Sequence, residues 1–131
     1  MTVASPAQRS SRGRRAASRG REAEALAAQA LERDGWEILG RRVRTQAGEI
    51  DLLAQRSGLM SVVEVKARPR LADAAASLTL RQRHRLYTAT ELVLAEHPDW
   101  GTEGVRFDMI VVDAADTVRR IKDAFRGGMM G

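Results

Sequence analysis

The sequence predicts an α/β domain, a mixed sheet flanked by helices, in the order helix, three strands, helix, strand and a short last strand. Three observations predict it. Apolar residues repeat at helical spacing over Arg21–Arg33 and again between Thr79 and Glu96. Runs rich in Val, Ile and Leu, bounded by turn residues, read as strands. Two of these runs, Glu49–Gln55 and Met60–Ala67, are separated by Ser57-Gly58, a turn signal.

Each element has its own justification. Ala23, Leu26, Ala27, Ala30 and Leu31 recur on one face of the first helix, and Gly35 can end it in a left-handed cap. Glu24 lies beside that face near the helix start, where the helix dipole favours a carboxylate. Trp36 to Arg44 suggests the first strand, with Trp36, Ile38 and Leu39 inward and Arg41, Arg42 and Arg44 toward its end. Those arginines either meet phosphate or solvate an edge. Ala47-Gly48 is a turn, and the hairpin that follows is apolar on both faces, as central strands are. Pro69, which cannot donate to a ladder, marks the end of its second strand. Leu71–Ser77 is alanine-rich, a loop or short helix. Thr79 is a candidate N-cap for a helix that Pro98 terminates, with Leu86, Ala89, Leu92, Val93 and Leu94 as its apolar stripe. Arg81, Arg83, His84 and Arg85 crowd its first turns, as a grip on a nucleic-acid backbone or as a solvated face. In the strand Val105–Val112, Val105, Phe107, Met109 and Val111 share one face, while Arg106 and Asp108 share the other and read as a structural pair. Val118–Ile121 forms the short last strand and Phe125 a final anchor.

Composition narrows the class. A chain of 131 residues suits one domain, and it contains no cysteine, which fits a reducing cytoplasm. No apolar run approaches the ~20 residues that span a bilayer. Residues 1–21 hold six arginines and no acid, so of the net charge of +5 the remainder of the chain carries about −1. Residues 1–19 therefore read as a disordered Arg-rich tail, 20–126 as the domain and 127–131 as a frayed end. Such a tail adds salt-sensitive attraction to phosphate, or is a solvated extension; it also resembles an organellar transit peptide. Aromatic residues make up 4% of the chain, which leaves few base-stacking platforms. With two histidines and no cysteine there is no His- or Cys-based metal set.

The chemistry concentrates in the hairpin. The chain has two lysines against twenty arginines, and Lys66 sits inside an apolar strand. A two-residue loop at Ser57-Gly58 sets Asp51 opposite Glu64, with Lys66 on the same face as Glu64. Unpaired ions in a sheet interior cost several kcal/mol each, so the trio requires compensation. An ion pair with Lys66 on a half-exposed face is one solution. A hard divalent cation is the other: Mg2+ takes one or two carboxylates plus water and substrate phosphate. Asp51 and Glu64 would supply those ligands, with the backbone carbonyl of Val65 as a third, and Lys66 would handle the water or the developing charge.

Asp51 followed by Glu64-Val65-Lys66 on the next strand resembles the signature of the PD-(D/E)XK nuclease superfamily, with Ile50 where its name has proline. Four blocks narrow the resemblance: Gly20-x-x-Ala-Glu24, Gly48-Glu-Ile-Asp51-Leu, Val63-Glu-Val-Lys66-x-Arg68 and Arg106-Phe-Asp108. Together they resemble the YraN family, small bacterial proteins regarded as predicted endonucleases and similar to archaeal Holliday-junction resolvases. The resemblance implies a restriction-endonuclease-like fold, a Mg2+ or Mn2+ cofactor held by Asp51 and Glu64, and assistance from Glu24 directly or through water. It departs at Gln82, where the family usually carries a lysine; glutamine can hydrogen-bond a water or phosphate but brings no charge.

The function expected is metal-dependent endonucleolytic hydrolysis of nucleic acid, with DNA, including branched DNA, as the substrate. Arg68, Arg81, Arg83 and Arg85 are the expected nucleic-acid contacts. Analogy with junction resolvases makes a homodimer the expected assembly. A non-catalytic nucleic-acid-binding module of the same fold is the alternative, and a protein-interaction adaptor in which the trio is a mere ion pair is a third reading.

Overall fold

A computed structural model describes residues 6–75 and 78–125. Its order is α1 (Pro6–Arg33), β1 (Glu37–Thr45), β2 (Gly48–Arg56), β3 (Leu59–Ala67), α2 (Leu71–Ala75), α3 (Leu80–Glu96), β4 (Gly104–Val112) and β5 (Val118–Ile121). The five strands form one sheet in chain order, antiparallel throughout except for the parallel pair β3–β4. This mixed sheet with flanking helices has the expected architecture and is consistent with the restriction-endonuclease-like fold.

The first helix departs from expectation at its start. It begins at Pro6, so residues 6–19, read from composition as a disordered tail, are helical. Proline suits a first helical position, and the alanines and arginines that follow are good helix formers; a scarcity of apolar residues does not by itself prevent a helix. Residues 1–5 and the expected frayed end at 127–131 lie outside the described residues. The helix ends as Gly35 allows: with φ 84°, it places Trp36 N–H on Leu31 O and its own N–H on Glu32 O.

Two apolar cores form on opposite faces of the sheet. On one, Ala23, Ala27, Ala28 and Leu31 of α1 pack with Leu52, Ala54, Val63, Ile110 and Val112. On the other, Leu86, Tyr87, Ala89 and Val93 of α3 pack with Leu53, Val62, Phe107, Met109 and Val111. The faces of β4 are those the alternation predicts. Helix α3 differs at three positions: Tyr87 and Thr90 are buried, while Leu92 is 37% exposed. The hairpin register is also as expected. Ser57 and Gly58 both have positive φ, 52° and 81°, the geometry of a two-residue turn, and Leu52 faces Val63.

The α1 side is stitched by one carboxylate. Asp108 is fully buried and accepts from Arg106 Nε at 2.8 Å, Arg120 Nη2 at 2.9 Å, the Asp123 N–H at 2.8 Å and the Ser61 hydroxyl. Burial alone would push this carboxyl up, but those bonds outweigh it and hold it below the usual carboxylate range. The same arginines lie over the Trp36 ring, Arg106 at 5.7 Å and Arg120 at 4.6 Å from its centroid, with Arg56 at 4.9 Å. Arg106 and Asp108 are thus the structural pair expected, joined by β3, β5 and the segment after it. Asp108→Ala would strand two half-buried guanidinium groups, and a loss of about 3–5 kcal/mol is expected, measured by urea unfolding.

Candidate active site

The hairpin's charged end is where its ladder stops. Strands β2 and β3 pair from Arg56–Leu59 to Leu52–Val63. One step further, Asp51 Oδ2 accepts the N–H of Val65 at 2.8 Å. A side chain thus replaces the next ladder position, while β3 continues in register with β4 to Ala67 and Val112. The pleat of β2 also breaks here: Ile50 packs in the α3-side core and Leu52 in the α1-side core, although a regular strand would put both on one face. Abreast of Asp51 on β1, Arg42 adopts a left-handed φ of 48°.

Glu64 and Lys66 are two residues apart on β3, with Lys66 Nζ 3.3 Å from Glu64 Oε1 and their side chains 15% and 16% exposed. Glu64 opens into a cavity of about 230 Å³ lined also by Gly48, Glu49, Leu78, Gln82, Arg85 and Leu86. Burial first, and then the neighbouring Glu64 charge, push the Asp51 carboxyl up to about 7; Glu24 adds to this, while the Val65 N–H and Lys66 oppose it. Glu24 contributes through space rather than contact, because its Oε2 accepts from Arg42 Nε at 2.7 Å.

Several expected site residues are placed differently. Val65 donates its N–H to Asp51 Oδ2, on the same edge of β3 as the carbonyl expected to serve a metal. Gln82 does line the cavity, but its Oε1 accepts the Thr79 N–H at 2.8 Å while Thr79 Oγ1 accepts the Gln82 N–H at 3.2 Å. This reciprocal cap leaves the glutamine NH2 as what it can offer a ligand. Arg85 borders the cavity and Arg81 is exposed. The Arg83 guanidinium instead lies 5.7 Å from the Phe125 ring centroid, drawn to the core edge. Arg68 caps the end of β3, its Nη1 donating to Ala67 O, and lines a separate cavity with Arg19 and Asp113. Sequence reasoning missed the special position of Arg42. Nothing in a run of three arginines signals a left-handed backbone or a pair with Glu24. Glu49 was also missed, although it stands in the Gly48–Asp51 block.

Among the described residues no three His, Asp or Glu side chains are grouped tightly enough to hold a metal ion by themselves. Asp51 and Glu64 nonetheless suit Mg2+ or Mn2+, since such ions need few protein carboxylates and take their remaining ligands from water and phosphate. The upward push on Asp51 agrees with this: a divalent cation would offset both the burial and the Glu64 charge that raise it.

Two outcomes are expected. The Asp51 carboxyl is raised from 3.8 to about 7 on folding, so the linked stability is full below pH 3.8 and is lost as pH rises through about 7. Chelator-treated protein should melt lower at about pH 8 than at about pH 5. Asp51→Asn should remove most of that difference, an effect on the order of a few kcal/mol, and raise the midpoint at the higher pH. Arg42→Gly and Arg42→Ala both delete the half-exposed pair with Glu24, but only glycine relaxes the left-handed backbone. Glycine is expected to be the more stable variant by about 1 kcal/mol in urea unfolding.

The comparisons with known proteins agree with this architecture of motifs. The model of "Uncharacterised protein family UPF0102" matches residues 23–112, a span containing Glu24, Asp51, Glu64, Lys66, Gln82 and Asp108. A UPF0102 protein of Granulibacter bethesdensis is 64% identical over 115 residues, covering 88% of this chain and 73% of its own. A UPF0102 protein of Azorhizobium caulinodans is 46% identical over 120 residues, 92% of this chain and 90% of its own. A third, from Acidiphilium cryptum, is 44% identical over 119 residues, 91% and 92% of the two chains. The sequence resemblance is therefore borne out, and the chain belongs to the UPF0102 family, YraN.

Proposed function

We propose that this protein is a divalent-metal-dependent endonuclease that hydrolyses phosphodiester bonds in nucleic acid, with DNA, including branched DNA, as its substrate. The observation that carries this reading is the gathering of Asp51, Glu64 and Lys66 where the β2–β3 ladder gives way, and the upward push on the Asp51 carboxyl by burial and the Glu64 charge supports it. A carboxyl shifted by burial and by a specific charged neighbour, next to a cavity-lining glutamate, is a candidate functional group. Structural demand alone would favour the arrangement of Asp108, whose bonds hold it low.

In this reading Asp51 and Glu64 hold Mg2+ or Mn2+, with Glu24 assisting once it leaves Arg42. The ion, when bound, lowers the pKa of water and neutralises phosphate charge. Lys66, already within 3.3 Å of Glu64, exchanges that partner for the phosphate oxygens and stabilises the charge that grows there. The NH2 of Gln82 donates to a water or a phosphate oxygen, and Arg85 attracts the backbone at the cavity rim. A homodimer would bring two such sites to two strands.

A second reading, a nucleic-acid-binding module without catalysis, is favoured by two observations. Lys66 and Arg42 neutralise Glu64 and Glu24 internally, and no three acids form a ready cage among the described residues. Membrane insertion has no support from the described helices, none of which is long and apolar enough to cross a bilayer.

The test is cleavage of labelled single-stranded, duplex, flapped and four-way-junction DNA in Mg2+ or Mn2+. The wild-type protein should cut and Asp51→Asn, purified identically, should not. Lys66→Ala should lose turnover with an unchanged circular-dichroism spectrum. Binding without cleavage in either metal would transfer the assignment to the module reading.

A further inference from the structure

The largest cavity described is not at the acidic cluster. It is a cleft of about 570 Å³ between the β1–β2 turn and the C-terminal half of α3. We propose that this cleft binds an unpaired nucleobase, stacked on the His97–Trp100 pair, from the same strand that enters the candidate active site. The proposal deepens the nuclease reading and rests on it.

The platform is built by the end of α3. The His97 N–H donates to Val93 O at 2.9 Å, Pro98 follows, and the Trp100 N–H donates back to His97 O at 3.0 Å. This turn lays the two rings 3.7 Å apart and within 5° of parallel. Trp100 packs against the α3-side core, so the pile is anchored from below. A planar ring of π character is the ligand that extends such a pile, and every base has such a face. Val43, Leu92 and Val93 add an apolar wall, and Arg44, Gln46 and Glu96 supply polar groups at the edge. Gln46 offers both a donor and an acceptor, as base edges require. The exposure of Leu92, unexpected for a residue in the helix's apolar stripe, is explained by its place in this wall.

Position selects a nucleobase over other aromatic ligands. The cavity at Glu64 is lined by Gln82, Arg85 and Leu86 of α3 and by Gly48 and Glu49 beyond the turn. The larger cleft is lined by Leu92, Val93 and Glu96 further along α3 and by Thr45 and Gln46 before and within the same turn. Both clefts therefore follow one helix and one turn. Gln82 and Glu96 are 14 residues apart in α3, a rise of about 21 Å. A strand held by its phosphate at Glu64 and Lys66 and running along α3 reaches His97 and Trp100 after a few nucleotides. Bases stacked in a duplex have both faces covered. The subsite therefore selects substrates in which a nucleotide at that distance from the cut is unpaired, as in flaps, loops and junctions.

The test reads binding, independent of turnover. Fluorescein-labelled single-stranded oligodeoxynucleotides, intact or carrying one abasic position moved stepwise along the strand, are titrated with wild-type protein in EDTA and in Ca2+. Wild-type protein should lose about 5- to 150-fold in affinity when the abasic position falls at one place in the strand. Trp100→Leu and, as a gentler variant, His97→Ala should bind the intact and abasic strands alike. Equal affinity of wild-type protein for every abasic strand overturns the subsite while leaving the nuclease reading intact if cleavage is seen. Absence of any DNA binding overturns both.

Discussion

The parallel pairing of β3 with β4 is the constraint on which the rest of the arrangement depends. Antiparallel neighbours need only a tight turn, whereas parallel neighbours need a crossover of a dozen or more residues. Here α2 and α3 supply it, and they pack on the face of the sheet opposite α1. The crossover leaves from the end of β3 that carries Glu64 and Lys66. The first turns of α3, with Gln82 and Arg85, therefore border the cavity into which Glu64 opens. The same pairing lets β3 run on past the point where β2 departs. The lost ladder position is then filled by Asp51 accepting from Val65. The charged trio is thus a consequence of topology: a central strand that changes partners leaves a gap where polar groups can gather without an orphaned amide.

Two aspartates show what the fold does with a buried carboxyl. Asp108 is fully enclosed and met by two guanidinium groups, a hydroxyl and an amide, so its charge is stabilised. Asp51 is largely buried, with Glu64 and Glu24 charges acting on it and only one amide and the Lys66 charge opposing them, so its charge is resisted. The first arrangement ties β3, β4 and β5 together. The second costs free energy when ionised, and a proton relieves that cost. Active sites commonly contain such unfavourable local arrangements while the surrounding structure keeps them in place. On this sheet the compensation sits on the opposite face, where Asp108 and the arginines around Trp36 hold the strands.

Much of this was legible because strand and hairpin rules are local. Ser57-Gly58 fixed a two-residue turn, and with it the approach of Asp51 to the strand bearing Glu64. The alternation in β4 separated Phe107 and Met109 from Arg106 and Asp108 correctly because each face of that strand packs on its own core. What was not legible depends on distant partners or on backbone angles. The left-handed Arg42 and its hold on Glu24 arise from the break in the pleat opposite Asp51, which no spacing encodes. Gln82 reads as a site residue, yet the Thr79–Gln82 spacing is also that of a capping box, and the helix uses it so. The stacked pair escaped notice because aromatic content is a global quantity. Low abundance says nothing of whether two rings three residues apart are folded onto each other.

Net charge gives a misleading picture of how this protein would meet a polyanion. Of its basic groups, Arg106 and Arg120 are bound to Asp108, Arg42 to Glu24 and Lys66 to Glu64, while Arg83 lies over Phe125 and Arg56 over Trp36. These charges are committed within the fold and offer little long-range attraction. The basic groups that line the two cavities are Arg85 at the smaller and, at the larger, Arg44, whose 89% exposed side chain lies 3.6 Å from Glu49. On the proposed reading, these cavity rims engage a few phosphates rather than a broad electrostatic stripe, whose strength grows with the number of phosphates neutralised. Discrimination on that reading is by position: a phosphate must reach the Asp51–Glu64 pair while the chain is flexible enough to follow α3. On the proposed nuclease reading, strands that are locally unpaired meet that requirement better than a uniform double helix.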